Sequence, residues 1–376
     1  MKQFDYIIAG AGAAGLTLAY LLMGYEDKQK TILIIDKDSK TLNDRTWCFW
    51  EKEENLLEPL VFKKWTQAKI GTSNWSKTYT LEPYSYKMIR GIDFYEFMKK
   101  ALDKPNITWI QEEIISIEQN GQVSTSESTF SGQLVFDSTF QLDQLRESSA
   151  NTIIQHFKGK IIKTNSPQFD EHTATYMDFS VDQEGDCRFG YILPFDKQTA
   201  LVEYTLFNKT LLSQEEYDNS LTKYIQQLGI ENYEVIEEEF GIIPMTDFKF
   251  ITRQSPQVFN IGIKGGFAKA STGYSFLRAQ KTLHKMVENI CRGLTPDLNL
   301  PYQTNRHKTY DATLLNVLSS GKFTGEEIFG YLFKKNGIHS VFKFLDEETS
   351  LSEELSIMSS TPIFHFGKAF IQQLLK

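Results

Sequence analysis

The sequence predicts an α/β fold in which a parallel, nucleotide-binding sheet carries an inserted sheet-containing α+β domain and a helical C-terminal region. Three observations predict it. The first 36 residues run strand, Gly10-Ala11-Gly12-Ala13-Ala14-Gly15, helix, strand, acid. Strand-like runs then crowd residues 153–202, and beyond Pro301 the chain reads mostly as helix. The opening segment has the order of a Rossmann-type dinucleotide fingerprint, with the acid about 20 residues past the loop.

Each element of that segment has a physical role. Phe4–Ala9 is a short buried strand, and Leu16–Met23 is apolar at helical spacing. Thr31–Ile35 is a second apolar strand ending at Asp36. Gly10, Gly12 and Gly15 permit a tight turn and close approach of the backbone to a pyrophosphate, with Ala13 and Ala14 completing the loop. The helix N-terminus offers free N–H groups and a positive dipole end. The Asp36 carboxylate is placed to accept ribose hydroxyls.

Further along, Ile89-Arg90-Gly91 reads as a loop entering a helix that ends near Ala101. Ile107–Ile117, Gly121–Phe130 and Gln133–Asp137 read as strands of a further sheet. Ala174–Phe179 and Phe189–Pro194 are strands, and Leu212–Leu228 is a helix. Val258–Ile263 is a strand running into a second glycine cluster, Gly262 to Tyr274, followed by a helix over about residues 273–292. In that cluster Gly265, Gly266 and Gly273 allow close approach, Ser271 or Thr272 caps the helix, and Tyr274 follows. A helix N-terminus there would stabilise negative charge on an isoalloxazine ring. Two such sites far apart in sequence suit FAD, an extended cofactor. The domain boundaries expected are 1–60, 85–145 and 245–295 for the cofactor domain, 61–84 and 146–244 for the substrate domain, and 296–376 for a helical region closing the substrate site.

Composition narrows the class. The net charge of −8 over 376 residues argues against nucleic acid as a partner. Cys48, Cys187 and Cys291 are scattered and form no disulfide framework or metal knuckle, which points to a reducing cytoplasm. No secretory signal is expected, because the first apolar strand runs straight into the glycine loop. No apolar run reaches the roughly 18 residues of a membrane span. The 28 Phe and 17 Tyr fit either a Phe-rich core or a pocket for a large apolar substrate. His172, His284, His307, His339 and His365 show no ligand spacing, so no metal is expected.

Taken together, the motifs resemble the flavin-dependent lycopene cyclases of bacteria and plants over nearly the whole chain. The resemblance rests on the glycine loop, Asp44-Arg45-Thr46-Trp47, Ile89-Arg90-Gly91 with Asp93-Phe94-Tyr95, and Val135-Phe136-Asp137-Ser138. It continues through Gln155-His156-Phe157 with Gly159, Met177-Asp178-Phe179, Tyr191 to Phe195, Glu239 to Met245, and the second glycine cluster. The wider superfamily of aromatic hydroxylases and geranylgeranyl reductases has the same flavoprotein fold; hydroxylases place Gly-Asp where Gly262 is followed here by Ile263. The family's acidic motif, Phe-Leu-Glu-Glu-Thr in plants, appears as Leu201-Val202-Glu203-Tyr204-Thr205. Glu203 alone therefore inherits the acid role, Tyr204 is assigned to the substrate lining, and the deprotonating base stays open. A downstream segment, Phe344-Leu345-Asp346-Glu347-Glu348-Thr349, looks more like the plant letters but reads as a solvated helix start or turn.

The resemblance implies closure of β-ionone rings at linear carotenoid ends, lycopene to β-carotene, with reduced FAD and with NAD(P)H or an electron-donor protein as reductant. An FAD-dependent hydroxylase or reductase of an isoprenoid or aromatic substrate is the alternative. Trp47, Phe49 and Trp50 either cage a carbocation or pack a core. Arg45 holds either a cofactor phosphate or a structural ion pair. His156 reads as structural. With no spanning helix, such an enzyme reaches its bilayer substrate from the cytoplasmic membrane surface. Phe364, Phe366, Phe370, Ile371, Leu374 and Leu375, near Lys368 and Lys376, fall on one helical face that serves docking or core packing.

Overall fold

The computed structural model describes residues 1–25, 30–145, 148–301 and 304–374; Leu375 and Lys376 lie outside the described residues. Along the chain the strands and helices are β1 (Lys2–Ala9), α1 (Ala13–Tyr25), β2 (Ile32–Asp36), β3 (Thr46–Glu51), β4 (Lys63–Trp65), β5 (Gln67–Thr72), β6 (Trp75–Thr80) and β7 (Ser85–Arg90). There follow α2 (Gly91–Ala101), β8 (Ile107–Gln111), β9 (Ile114–Ile117), β10 (Gln122–Thr125), β11 (Thr129–Asp137), β12 (Thr152–Thr164), β13 (Thr173–Asp178), β14 (Cys187–Pro194) and β15 (Thr199–Asn208). The rest comprises α3 (Gln214–Gln227), β16 (Tyr233–Thr246), β17 (Val258–Asn260), α4 (Phe276–Cys291), α5 (Asn305–Ser319), α6 (Tyr331–Leu345), α7 (Leu351–Met358) and α8 (Ile363–Leu374).

The chain divides into two compact units. Unit 1 comprises Met1–Trp47, Arg90–Ser148 and Phe248–Tyr302. Its sheet has the order β8-β2-β1-β11-β10-β9, with β17 also on β11. The β8, β2, β1, β11 and β17 pairings are parallel, and β10 and β9 extend the sheet antiparallel. Ile7, Ile8 and Ala9, like Leu33, Ile34 and Ile35, are buried, as strands covered on both faces must be. The segments from Ile107 to Asp137 thus join the first sheet rather than forming a further one. Strand-like sequence marks a strand, but its partner is chosen by tertiary packing. Helix α4 lies beside α1, where the Gln280 amide donates to Thr17 Oγ1 at 3.1 Å.

Unit 2 comprises Cys48–Ile89, Ser149–Asp247 and Gln303–Lys376. Its main sheet has the order β16-β12-β15-β14-β13-β5-β6, antiparallel except for the β13–β5 pair. Helix α3, started by a Ser213–Glu216 capping box, covers one face. Tyr217, Leu221, Tyr224 and Ile225 on α3 pack there with Val202, Tyr204 and Leu206 of β15. A three-stranded sheet, β3-β7-β4, completes the unit. Strand β7 runs through Ile89 and Arg90, where the sequence reads as a loop, and α2 follows at once from Gly91. The buried Lys87 pairs with Glu51 at 2.7 Å and with Glu58, which fixes β7 beside β3. Sequence alternation missed β16 altogether. Its Glu237-Glu238-Glu239 run breaks any apolar pattern.

Candidate active site

Unit 1 carries both glycine clusters. After β1 the chain turns at Gly10, whose φ of 98° suits glycine. The Ala11 N–H donates to Asp36 Oδ2 at 2.6 Å, and Asp36 also lies 3.7 Å from Lys40 Nζ. A Cβ on Gly15 would fall 2.0 Å from the Gly10 carbonyl oxygen, so glycine there allows α1 to lie against the loop. A Cβ on Gly12 would meet no protein atom within 4 Å, so the protein's own packing does not require that glycine. Ala13 opens α1, and Ala14 touches the second cluster: a Cβ on Gly262 would stand 3.1 Å from Ala14 Cβ.

The second cluster winds through Gly262, Gly266 and Gly273, all with positive φ. Gly265 leaves no room for a side chain, since a Cβ would lie 2.5 Å from the Asn260 carbonyl. Ser271 is buried, and among the described residues its Oγ has no hydrogen-bond partner. The helix starts later than its sequence implies. Thr272 Oγ1 accepts the Tyr274 N–H at 3.3 Å, holding a turn, and α4 begins at Phe276 with Ser275 at its N-cap. Neither Ser271 nor Thr272 caps it.

The segment around Arg45 is split between the units. Arg45 is exposed; its guanidinium donates to the Asp44 carbonyl at 2.7 Å, and its own carbonyl accepts the Gly91 N–H at 2.7 Å. Trp47 packs on Phe94 at 5.1 Å and stacks on Phe276 at 5.6 Å. In unit 2, Phe49 is buried. Trp50 stacks on Phe342 at 4.5 Å and donates from Nε1 to the Asp346 carboxylate at 3.0 Å. Asp346 belongs to the downstream Asp-Glu-Glu segment. That segment ends α6 in a turn, one of the two readings its sequence offers: Glu348 pairs with Lys52 at 2.6 Å, and Glu347 lies 3.7 Å from His307. Its acids hold side chains of unit 2 in place.

Glu203 sits elsewhere in unit 2, in the main sheet. It is cross-strand to Gly159 on β12, and Gly159 is cross-strand to Glu239 on β16. On the other side Glu203 is cross-strand to Tyr191 on β14. Residues paired in register share a face, so Glu239, Gly159, Glu203 and Tyr191 form one row. The absent side chain at Gly159 makes room for its neighbours. A Cβ there would stand 2.8 Å from Glu203 Cγ and 3.2 Å from Glu239 Cγ. The two carboxyl groups hydrogen-bond to each other. Burial, then the Glu239 charge, then that hydrogen bond push the Glu203 carboxyl well above its ordinary range.

The Tyr191 hydroxyl lies 2.6 Å from that of Tyr86, and both phenols hydrogen-bond with the Cys48 thiol. Burial pushes Cys48 and Tyr86 up, so both stay neutral. Phe157 and Phe189, two residues along β12 and β14, share the Glu203 face, and Phe189 packs on Phe179 at 5.6 Å. Tyr204 points to the opposite face, into the cluster under α3. His156 is buried and contacts the Tyr217 hydroxyl at 2.5 Å, and burial brings its pKa down to about 4. Among the described residues no group of three or more His, Cys, Asp and Glu is placed to hold a metal ion. The structure thus gathers Glu203 with four residues that sequence reasoning did not assign to the site: Glu239, Cys48, Tyr86 and Tyr191. The cross-strand register is the signal that finds them.

The chain matches the family model described as lycopene cyclase protein over residues 5–369. It belongs to the lycopene cyclase family. Relatives include the chloroplastic neoxanthin synthase of Solanum tuberosum, 26% identical over 78% of this chain and 61% of that protein. The lycopene beta-cyclase of Pseudescherichia vulneris is 25% identical over 81% of this chain and 78% of that protein. The chain therefore spans 61% of the length of the neoxanthin synthases it matches. Among solved structures, a geranylgeranyl bacteriochlorophyll reductase-like protein from Thermoplasma acidophilum superposes with a TM-score of 0.67 at 12% identity, covering 98% of each chain. A flavin-dependent brominase superposes with a TM-score of 0.62 at 13% identity, covering 92% of this chain and 93% of that one. This member of the lycopene cyclase family has the fold of those proteins.

Gly159→Ala tests the row directly. The added methyl must displace both carboxyl side chains, so the variant should lose about 1–3 kcal/mol of stability in chemical unfolding. Unchanged stability would show that the carboxyls do not meet across Gly159.

Proposed function

We propose that this chain is an FAD-dependent lycopene β-cyclase, closing linear carotenoid ends to β-ionone rings by acid–base chemistry without net redox change. The observation that carries this reading is Glu203: a buried carboxyl, raised in pKa, on a face shared with aromatic side chains, in a member of this family. An alkene is a very weak base, so its protonation needs an acid that stays neutral at working pH and is shielded from water. Glu203 meets both requirements. It protonates the terminal double bond, a neighbouring double bond attacks the tertiary cation to close the ring, and a second proton leaves. Tyr191, Phe157 and Phe189 present π faces that favour a passing cation.

The residues of unit 1 fit FAD. The space at Gly12 would admit a pyrophosphate, the α1 N-terminus would donate to it, Asp36 would hold the ribose, and Ser271 Oγ, without a partner among the described residues, would offer a hydrogen bond to the cofactor. Arg45, Gly265, Gly266, Thr272, Gly273 and Tyr274 complete the proposed cofactor set, and Trp47, Phe49 and Trp50 the proposed substrate lining; Tyr204, expected there from the sequence, packs under α3 instead. Bound as the reduced anion, FAD supplies negative charge that stabilises a carbocation. NAD(P)H or a donor protein supplies the reduction.

Gly12→Val fills the space at Gly12 with an isopropyl group. The variant should fold with parental stability and purify without yellow flavin absorbance; full flavin content would defeat the cofactor assignment. Glu203→Gln keeps shape but removes the transferable proton. It should lower the cyclisation rate by roughly two to four orders of magnitude with flavin content unchanged, whereas Glu348→Gln, which breaks only an exposed ion pair, should be nearly silent. Normal turnover in Glu203→Gln, or one NADPH consumed per product in the unaltered protein, sinks the reading. The second outcome favours a hydroxylase or reductase.

Among the described residues no helix is long and apolar enough to cross a membrane. We place the enzyme at the cytoplasmic membrane surface, with α8 as the docking element, because Phe364, Ile371 and Leu374 are exposed on it beside Lys368. Phe364→Asp combined with Ile371→Asp should markedly reduce co-sedimentation with anionic lipid vesicles. Equal binding by the double variant removes α8 from that role.

A further inference from the structure

We propose that Glu239 and Glu203 act as one unit: a carboxyl dyad across Gly159 that holds a single shared proton, delivers it from Glu203, and takes back the proton released on ring closure. The catalytic half of this inference rests on the cyclisation reading above, while the dyad itself stands on geometry.

Two carboxylates in hydrogen-bond contact cannot both ionise without strong repulsion, so one proton stays between them while the other leaves at lower pH. The charge acting on Glu203 is that of Glu239. The thiol of Cys48 on β3 and the phenol of Tyr86 on β7 are held neutral by burial. Tyr191 on β14 hydrogen-bonds with Tyr86, and Tyr176 on β13 packs edge-on against the Tyr86 ring at 5.4 Å. On β16, Glu237 lies two residues from Glu239. Helix α5, which packs on β12 and β16, carries Arg306, His307, Lys308, Tyr310 and Asp311; of these Arg306, His307 and Tyr310 contact Glu354. Among the described residues, those cross-strand to the two glutamates are Gly159 and Tyr191.

The proton balance closes within the pair. Before reaction the dyad carries one proton and one negative charge. Donation to the alkene leaves two adjacent carboxylates, the state in which the pair holds its greatest affinity for a proton. When the ring has closed, the cation loses a proton, and the dyad is the base beside Glu203 able to accept it on either carboxylate. The hydrogen bond between the two side chains returns it to Glu203. One proton enters and one leaves, and no electron moves. Glu239 thus keeps Glu203 protonated before the reaction and, as the second carboxylate of the dyad, serves in its reprotonation.

The test is an infrared titration of the carboxyl C=O band in the full-length flavin-loaded protein, with Glu203→Gln used to assign the band. In the unaltered protein the dyad's two protons should leave in two separated steps, the second above the ordinary carboxylate range. Both leaving together within the ordinary range overturns the dyad. In Glu239→Gln the repelling charge is gone, so the Glu203 band should titrate away at least one pH unit lower, a tenfold loss of proton affinity. The alkaline limb of kcat should move acidward with it. A slower enzyme whose limb and band stay in place means that Glu239 is merely structural, which also overturns the proposal. The titration of the unaltered protein needs no turnover. If the two steps appear while lycopene is not cyclised, the cyclisation reading fails and the dyad stands.

Discussion

Two glutamate side chains meeting over a glycine in the middle of a β-sheet set the terms for the rest of unit 2. A buried carboxylate costs several kcal/mol unless it is paired or neutralised, and a second one in contact adds repulsion. The arrangement persists only because the sheet fixes it. Glu203, Gly159 and Glu239 occupy one row of β15, β12 and β16, and a slip of one residue in β15 would send Glu203 to the opposite face. That face is already committed. Tyr204, Val202 and Leu206 fill it beneath Tyr217, Leu221 and Tyr224 of α3. The apolar packing under the helix therefore holds the register that brings the carboxyls together, and a stability feature on one side of the sheet becomes a chemical feature on the other.

Legibility in the sequence follows the range of the interactions. The glycine loop of unit 1 was readable because its elements are contiguous and its logic local: a strand, a turn, a helix N-terminus, an acid on the next strand. Glu203 was readable because it stands in an apolar run, where a carboxyl is conspicuous. Glu239 was not, since it ends a run of three glutamates that looks solvated, and only pairing with β12 turns its side chain toward Glu203. Cys48, Tyr86 and Tyr191 were unreadable for the same reason, coming from β3, β7 and β14. The α4 start was misjudged because Ser271 and Thr272 have capping side chains, yet the backbone spends them on a turn that Gly273 closes with its N–H on the Lys269 carbonyl.

The aromatic segment 47–50 shows how short a distance separates different roles. Trp47 stacks on Phe276 in unit 1, whereas Trp50, three residues on, stacks on Phe342 in unit 2 and hydrogen-bonds Asp346. Strand alternation and the unit boundary divide them, so one sequence motif contributes to two cores. The Asp346-Glu347-Glu348 segment makes the complementary point. Its letters resemble a catalytic motif, but its carboxylates are spent on Trp50, Lys52 and His307.

The replacement of the family's second motif acid by Tyr204 bears on this chemistry less than the letters suggest. Adjacent residues on a strand point to opposite faces. An acid at position 204 would project away from Glu203, toward α3, and could not hydrogen-bond with it. Position 204 instead belongs to the packing that holds β15 in register, a task an aromatic ring performs with more buried area than a carboxylate. The carboxyl that meets Glu203 comes instead from across the sheet, from Glu239 two strands away, with Gly159 between them in register. Gly159 is what makes that reach possible: with any side chain there, the carboxyls would be held apart, and Glu203 would be an isolated buried acid with no neighbouring base.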